Sequence, residues 1–471
     1  MIKTLVIFIC ISIGCVAQIT DTSDQHLFRS FGPEFLWGTA SAAYQIEGAH
    51  NEDGRGNSIW DVFSEKGKIK NKENGNVAAD FYHRYKEDIA LAKSMNFGVF
   101  RLSISWSRIF PKGTGNRNPK GVEFYHNVID ECIKQGLQPW VTLYHWDLPQ
   151  ELQDRGGWAN REAVDWFKTY TQFCAREYGT KVKHWMVFNE PSAFIGLGYL
   201  AGYHAPGKRN ISAFLKASHH ACLAMSESGR IIRKEIPDAQ IGTTFSCSSV
   251  DPFKNKKKHF KAVKRMDAML NRMFIEPSLG LGYPVNDFPF LRKMKKFQLP
   301  GDEEKLKFDF DFIGLQNYFR VVVKKSPFIP FVWAKPVSAK KRNVPYNEMG
   351  FEIYPEGIYR ILKQFSEYKS IKNIVITENG VCVKDELIND QVQDSSRIDF
   401  FRSYLNQVLK AKQEGVPVSG YLVWSLTDNF EWTEGYKPRF GLVYVDYKSQ
   451  MRYIKDSGKW FGKHLEQKRN R

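Results

Sequence analysis

Eight short runs of β-branched or aromatic residues recur along the chain, and stretches with helical spacing lie between them. The runs are Phe35 to Gly38, Val99 to Ile104, Pro139 to Tyr144, His184 to Phe188, Ile241 to Phe245, Phe312 to Leu315, Ile374 to Thr377 and Gly420 to Trp424. The helical stretches include Phe81 to Met95, Gly121 to Gln135, Arg161 to Tyr178, Ile211 to Lys234, Gly357 to Tyr368 and Ser395 to Gln413. This alternation predicts an α/β fold, a single (β/α)8 TIM barrel, and near-continuous apolar strands suit a sheet covered on both faces. A doubly wound open sheet would alternate too, but no glycine-rich phosphate loop follows the first strand. The long stretches Ala43 to Ala79 and Lys324 to Glu352 then read as elaborated loops at the C-terminal face of the barrel. No low-complexity linker or short-period repeat divides the chain.

The first residues form a separate unit. Lys3, the apolar run Leu5 to Ile13 and the site Cys15-Val16-Ala17 have the pattern of a secretory signal, so residues 1–17 are expected to be a signal peptide and 18–471 the barrel domain. Cleavage after Ala17 is the first expectation, and a lipid-modified Cys15 is the second. Either one implies a secreted or periplasmic protein. The run is too short to span a bilayer, and no other segment offers a membrane span. Beyond the signal, Cys132, Cys174, Cys222, Cys247 and Cys382 are too few and too sparse for a disulfide scaffold or a cysteine zinc site; Cys222 and Cys247 are the one pair to watch. The net charge of +17 is concentrated in Lys254 to Lys258, Arg292 to Lys296, Lys340-Lys341-Arg342 and Lys468 to Arg471. Those runs lack interleaved aromatics and any nucleic-acid motif, so they read as solvated surface, and nucleic acid is not an expected partner.

In a barrel, chemistry gathers at the carboxyl ends of the strands. Gln45 follows the first strand, His145 and Trp146 the third, Asn189 and Glu190 the fourth, Asn317 and Tyr318 the sixth, Glu378 the seventh and Trp424 the eighth. Alone, Asn189-Glu190-Pro191 is a helix start and Glu378-Asn379-Gly380 a turn. At the mouth of one barrel they become a pair of carboxyls. Cleaving an acetal needs such a pair, one to protonate the leaving oxygen and one to meet the positive charge on the sugar ring. Arg101 lies inside the second strand, where a charge needs a carboxylate partner; the choice is any barrel acid or, more sharply, Glu378. His145 and His204 have no ligand at metal-binding spacing, so no metal and no cofactor are expected. Trp333, in the second long loop, could either line the leaving-group side or pack the loop.

Seven blocks of this sequence resemble glycoside hydrolase family 1, the β-glucosidase family, in order and over essentially the whole mature length. They are Phe35-Leu36-Trp37-Gly38-Thr39-Ala40, Tyr44-Gln45-Ile46-Glu47-Gly48, Arg101-Leu102-Ser103-Ile104-Ser105-Trp106, Tyr144-His145-Trp146-Asp147-Leu148-Pro149, Asn189-Glu190-Pro191, Thr377-Glu378-Asn379-Gly380, and Trp424-Ser425-Leu426 leading to Asn429-Phe430-Glu431-Trp432. The resemblance implies a retaining exo-β-glycosidase with Glu190 as acid/base and Glu378 as nucleophile. It implies that Gln45, His145, Asn189, Trp424, Glu431 and Trp432 hold the terminal sugar, with Arg101, Asn317 and Tyr318 in support, and that the Trp424–Ser425 peptide is cis. Phospho-sugar members carry Ser, Lys and Tyr after the eighth strand, whereas this chain has Glu431 and Phe440, so unphosphorylated sugar is favoured. The expected substrate is a small-molecule β-glycoside or oligosaccharide, foremost a β-glucoside, with galactosides or fucosides as side substrates. A silent sugar-binding barrel and a transglycosylase using the same covalent intermediate are the alternatives, and oligomeric state is left open.

Overall fold

A computed structural model describes residues 23–329 and 331–469 of the chain, with side chains to residue 466. The expected signal peptide lies outside the described residues. Eight parallel strands close a barrel: β1 (Leu36–Ala40), β2 (Val99–Ser103), β3 (Gln138–Tyr144), β4 (His184–Asn189), β5 (Gln240–Ser246), β6 (Phe312–Gln316), β7 (Ile374–Asn379) and β8 (Val418–Trp424). Neighbours in sequence are neighbours in the sheet, and the ring closes where β1 pairs with β8 from Leu36↔Gly420 to Ala40↔Trp424. Every residue of β2, β6 and β7 is buried, as expected of strands covered on both faces.

The outer layer is α1 (Phe81–Ser94), α2 (Pro119–Lys134), α3 (Ala163–Tyr178), α4 (Ile211–Glu235), α5 (Lys257–Asp267), α6 (Glu356–Ser366), α7 (Ser395–Gln413) and α8 (Asp456–Arg469). Local sequence explains these helices. Proline at the first position of α2 fixes φ where no backbone donor is needed, and Phe124, Tyr125, Val128, Ile129 and Cys132 form its inward stripe. Asn210 starts α4 by accepting from the Ala213 N–H at 2.9 Å. In α6 the buried residues Ile358, Ile361, Leu362 and Phe365 repeat at helical spacing.

Two features differ from the sequence expectation. The stretch Ala43 to Ala79 is not wholly irregular: it holds short helices at Ala43–Ile46 and Ile59–Glu65, the second closed by a Ser58/Asp61 capping box. The other long stretch begins in Val321–Lys325, which joins Val250–Pro252 and Ala334–Pro336 in a three-stranded sheet beside the barrel. Among the described residues all five cysteines are free and buried, so Cys222 and Cys247 are packed as small apolar groups rather than bridged. No helix of the described residues is long and apolar enough to cross a membrane.

Candidate active site

The carboxyl ends of the strands open into a cavity of about 470 Å³. His145, Trp146, Asn189, Glu190, Tyr318, Glu378, Trp424, Glu431 and Trp432 line it, so eight of the expected site residues and the neighbouring Trp146 meet in one place. Gln45, Arg101 and Asn317 stand behind that wall, all fully buried or nearly so. The two strands that deliver the carboxyls are both irregular at the site. β4 slips register against β5 between Met186 and Asn189, and β7 slips against β6 and β8 between Ile376 and Glu378 or Asn379. Such slips re-aim side chains at a barrel rim. Glu190 itself has φ 46°, Trp146 φ 80° and Trp432 φ 49°, left-handed conformations that a non-glycine residue holds only when its surroundings impose them. Gly380 allows the close approach of β7 and β8 at the mouth, since a Cβ there would sit 1.9 Å from the Trp424 carbonyl oxygen.

A single buried cation organises the floor. Arg101 donates to Glu378 Oε1 at 2.5 Å, to Asn189 Oδ1 at 2.6 Å, to Thr142 Oγ1 at 3.1 Å and to the Thr377 carbonyl at 3.1 Å. This is the sharper of its two expected pairings. Tyr318 donates to the second oxygen, Glu378 Oε2, at 2.7 Å. Asn189 Oδ1 also accepts from Gln316 at 2.7 Å and Thr244 at 2.9 Å, which fixes its amide so that Nδ2 faces His145 Nε2 at 2.9 Å. Trp146 Nε1 donates to the Asn189 carbonyl at 2.9 Å. Asn317 acts further out, donating to the Cys247 carbonyl at 2.8 Å while its own carbonyl accepts from Asn379.

The opposite side of the cavity belongs to the loop after β8. Gln45 Nε2 lies 2.9 Å from the Phe430 carbonyl, 3.0 Å from Asn429 Oδ1 and 3.4 Å from Glu431 Oε2. Its Oε1, like His145 Nδ1 and Glu190 Oε1, is buried with no hydrogen-bond partner among the described residues. Buried polar atoms without partners are exceptional in folded proteins, and their clustering here suits a hydroxyl-rich ligand. Trp432 packs on Trp146 with ring centroids 4.5 Å apart, and Trp424 stands 5.9 Å from His145, so indole faces border the polar atoms. The Trp424–Ser425 peptide is cis.

The carboxyls occupy unlike environments. Burial, and next the charge of Glu378, push the Glu190 carboxyl up to about 8. Glu431 is pushed up to about 8 by burial and then by Glu378. Burial raises Glu378 too, but Arg101 and the Tyr318 hydroxyl pull against it. Arg101 touches Glu378 and neither Glu190 nor Glu431, so among these three acids only Glu378 has a cation in direct contact pulling against its burial. His145 is held neutral by burial and by Arg101.

Trp333 departs from one of its two expected roles. It is 43% exposed and lies outside the cavity lining, which leaves loop packing. Lys70, Leu197, Tyr203, Phe319, Met349, Phe351 and Glu434 line the outer cavity and were not expected from the sequence. They lie in the connections that follow β1, β4, β6 and β8, whose course only the folded chain reveals; the sole hint was that two of those connections were long.

A closed parallel barrel whose mouth gathers acids, amides and indoles in one cavity has the architecture of a glycoside hydrolase. The chain belongs to glycosyl hydrolase family 1, whose profile matches residues 27–470. It is 43% identical over 436 residues to beta-glucosidase A of Thermotoga maritima, covering 92% of this chain and 97% of that protein. It is 42% identical over 437 residues to a 1,4-beta-D-glucan glucohydrolase of Thermotoga neapolitana, with the same coverage of 92% and 97%. Among solved structures, the family 1 β-glucosidase from Thermotoga maritima superposes with a TM-score of 0.89 at 42% identity, covering 92% of this chain and 97% of that one. The same enzyme in complex with deoxynojirimycin gives a TM-score of 0.89 at 42% identity over 92% and 98% of the two chains.

Proposed function

We propose that this protein is a retaining β-glucosidase that releases terminal, unphosphorylated β-glucosyl residues by double displacement, with Glu378 as nucleophile and Glu190 as acid/base. The asymmetry of the pair carries this reading: Glu378 holds both Arg101 and Tyr318, whereas Glu190 Oε1 has no partner among the described residues and burial and the charge of Glu378 push its carboxyl up to about 8. A nucleophile must be ionised and a general acid protonated at the same pH, and these environments supply that difference.

In the first step a Glu378 oxygen bonds the anomeric carbon as the glycosidic C–O bond breaks, and the Glu190 proton passes to the departing oxygen. The negative charge of Glu378 is consumed in the ester. That removes the second-largest influence holding the Glu190 proton, so Glu190 can accept a proton from water as the water attacks the same carbon and releases Glu378. Retaining enzymes set such carboxyls about 5–5.5 Å apart. Gln45, His145, Asn189, Trp424, Glu431 and Trp432 hold the sugar: the partnerless Gln45 Oε1 and His145 Nδ1 meet hydroxyls, and the indoles cover C–H faces. A protonated Glu431 donates one hydrogen bond and accepts another, which suits adjacent hydroxyls.

The names of the relatives, beta-glucosidase A and 1,4-beta-D-glucan glucohydrolase, support glucose as the sugar, and solved complexes of the Thermotoga maritima enzyme with isofagomine lactam and deoxynojirimycin support a site for small sugar-like molecules. Export through a signal cleaved after Ala17 belongs to the same proposal and is checked by N-terminal sequencing of the mature protein. The test of function is Glu378→Gly on an aryl β-glucoside. Turnover is expected to disappear and to return in part with azide or formate; an unchanged rate would remove Glu378 from the role of nucleophile.

A further inference from the structure

We infer that the face formed by α5 and the adjoining strand hairpin attaches peripherally to an anionic lipid surface, with the hairpin tip entering the bilayer. The inference stands apart from the glucosidase reading, because the cavity lining includes none of the residues that form this face.

Two local rules are broken side by side here. Lys256 is the N-cap of α5, and Lys257 and Lys258 open its first turn with no acid among them, at the helix end where positive charge is disfavoured. In the hairpin, Lys324 stands directly across from Lys335, a like-charge pair that weakens a sheet. The two clusters converge on one point. His259, on the buried side of α5, is pushed below its ordinary value first by burial and then by Lys258, Lys256, Lys254 and Lys324. None of these lysines has a carboxylate partner among the described residues; Lys264, further along α5, is paired with Asp287 at 3.9 Å. Local rules broken without a gain inside the fold mark functional surfaces, and repulsion of this kind is relieved by an outside anion. The sequence presents Lys254 to Lys258 as solvated surface; the fold is what adds Lys324 and Lys335 to them.

The apolar groups decide which anion. Val321–Lys325 and Ala334–Pro336 run antiparallel, and the Ser326 N–H donates to the Trp333 carbonyl at 3.1 Å, so beyond its lysines the hairpin leads into the apolar stretch Pro327-Phe328-Ile329. Phe328 is 90% exposed, and Phe253 and Phe260, beside the lysines of α5, are exposed as well. A soluble polyanion, whether nucleic acid or charged polysaccharide, would neutralise the lysines and leave Phe328 in water. An anionic bilayer covers both, taking the tip into the acyl boundary while the lysines behind it stay at the headgroups. A basic patch and an apolar tip together supply the two signals that stable attachment requires.

The test mixes the mature protein, from Gln18 onward, with vesicles of phosphatidylcholine alone or with about a third phosphatidylglycerol, and measures cosedimentation. The protein should pellet with the anionic vesicles and not with the neutral ones, and salt at about 1 M should release most of it. Lys324→Gln with Lys335→Gln should weaken partitioning by roughly twenty-five-fold, about fivefold for each lysine at an anionic surface. Phe328→Ser should weaken it by roughly tenfold through lost apolar burial. Lys369→Gln with Lys372→Gln changes exposed lysines just ahead of β7, at the opposite end of the barrel, and should bind as the parent does. Each variant should keep the turnover of an aryl β-glucoside, and the Lys324/Lys335 variant should be no less stable than the parent, since it removes a like-charge pair. Absence of binding to the anionic vesicles would overturn the inference. So would an equal loss in the Lys369/Lys372 variant, which would reduce the effect to net charge. Vesicle binding that Phe328→Ser leaves unchanged and that soluble dextran sulfate abolishes would mean a surface for polyanions, and would overturn it too. Vesicle binding as expected by a protein that turns over no glucoside would overturn the glucosidase reading alone.

Discussion

Arg101, buried inside the second strand, donates to Glu378 Oε1 at 2.5 Å from across the barrel floor and holds Asn189 Oδ1 at 2.6 Å with its other terminal nitrogen. One guanidinium thereby sets the position and charge of the proposed nucleophile and of a proposed sugar ligand. Arg101→Met should lower kcat/KM by at least on the order of a hundredfold and move the acid limb of the pH profile upward, because burial then acts on Glu378 without its cation. Arg101→Lys should recover only part of the loss, since an ammonium cannot make the forked contact. A pH–rate profile of each variant checks the direction.

The alkaline limb of kcat/KM should fall near pH 8, where Glu190, as the proposed acid/base, loses its proton. Glu431 is pushed to about the same value, so the limb is assigned by variant rather than by position. Glu190→Gln should flatten that limb for a dinitrophenyl glucoside, whose leaving group needs no proton, and should abolish turnover of an alkyl glucoside.

Folded-state stability should carry the opposite imprint of the same groups. The Glu431 carboxyl is raised from 4.5 to about 8, so its contribution is fully present below about pH 4.5 and is lost as pH rises through about 8. Glu431→Gln has no charge to bury. Its Tm relative to the parent should therefore climb between pH 5 and pH 9, by on the order of a few degrees. A difference that shrinks with pH would contradict the assignment.

Behind the loop that follows β8, Lys455 is fully buried between Asp385 at 2.5 Å and Asp428 at 2.7 Å. Asp428 also accepts from the Gly441 N–H at 3.0 Å and precedes Asn429, the partner of Gln45. Lys455→Met leaves Asp385 to Arg397 and Asp428 to Arg439, a buried network short of one cation, and should cost on the order of 3 kcal/mol in denaturant unfolding. It should also raise KM more than it lowers kcat, because the proposed role of that loop is to hold the sugar rather than the reacting atoms.

Much of this was legible in the sequence because the barrel repeats one signal eight times. All eight strands fall within two residues of their apolar runs, and the ends that were read short, such as Asn189, Gln316 and Asn379, are polar residues of the site that interrupt the pattern. Helix α5 was not foreseen, because a lysine-rich segment that buries only His259, Ala262 and Met266 has too thin a stripe to register. Helix α8 likewise shows little beyond Trp460, Phe461 and Leu465. The cost of burying a charge pointed Arg101 to a barrel acid, Glu378 among them, whereas the contact of Phe319 with Phe351 was not legible, since those residues meet only through the course of two loops.

The two-carboxylate assignment is tested most directly by incubating the protein with a 2-deoxy-2-fluoro-β-glucosyl fluoride and mapping the modified peptide by mass spectrometry. The fluorine slows release of the covalent intermediate, so one fluorosugar should accumulate on Glu378 while activity is lost in step. A protein inactivated with its label on Glu190 or another side chain, or one that turns over glucosides while never carrying a covalent sugar, would contradict the account.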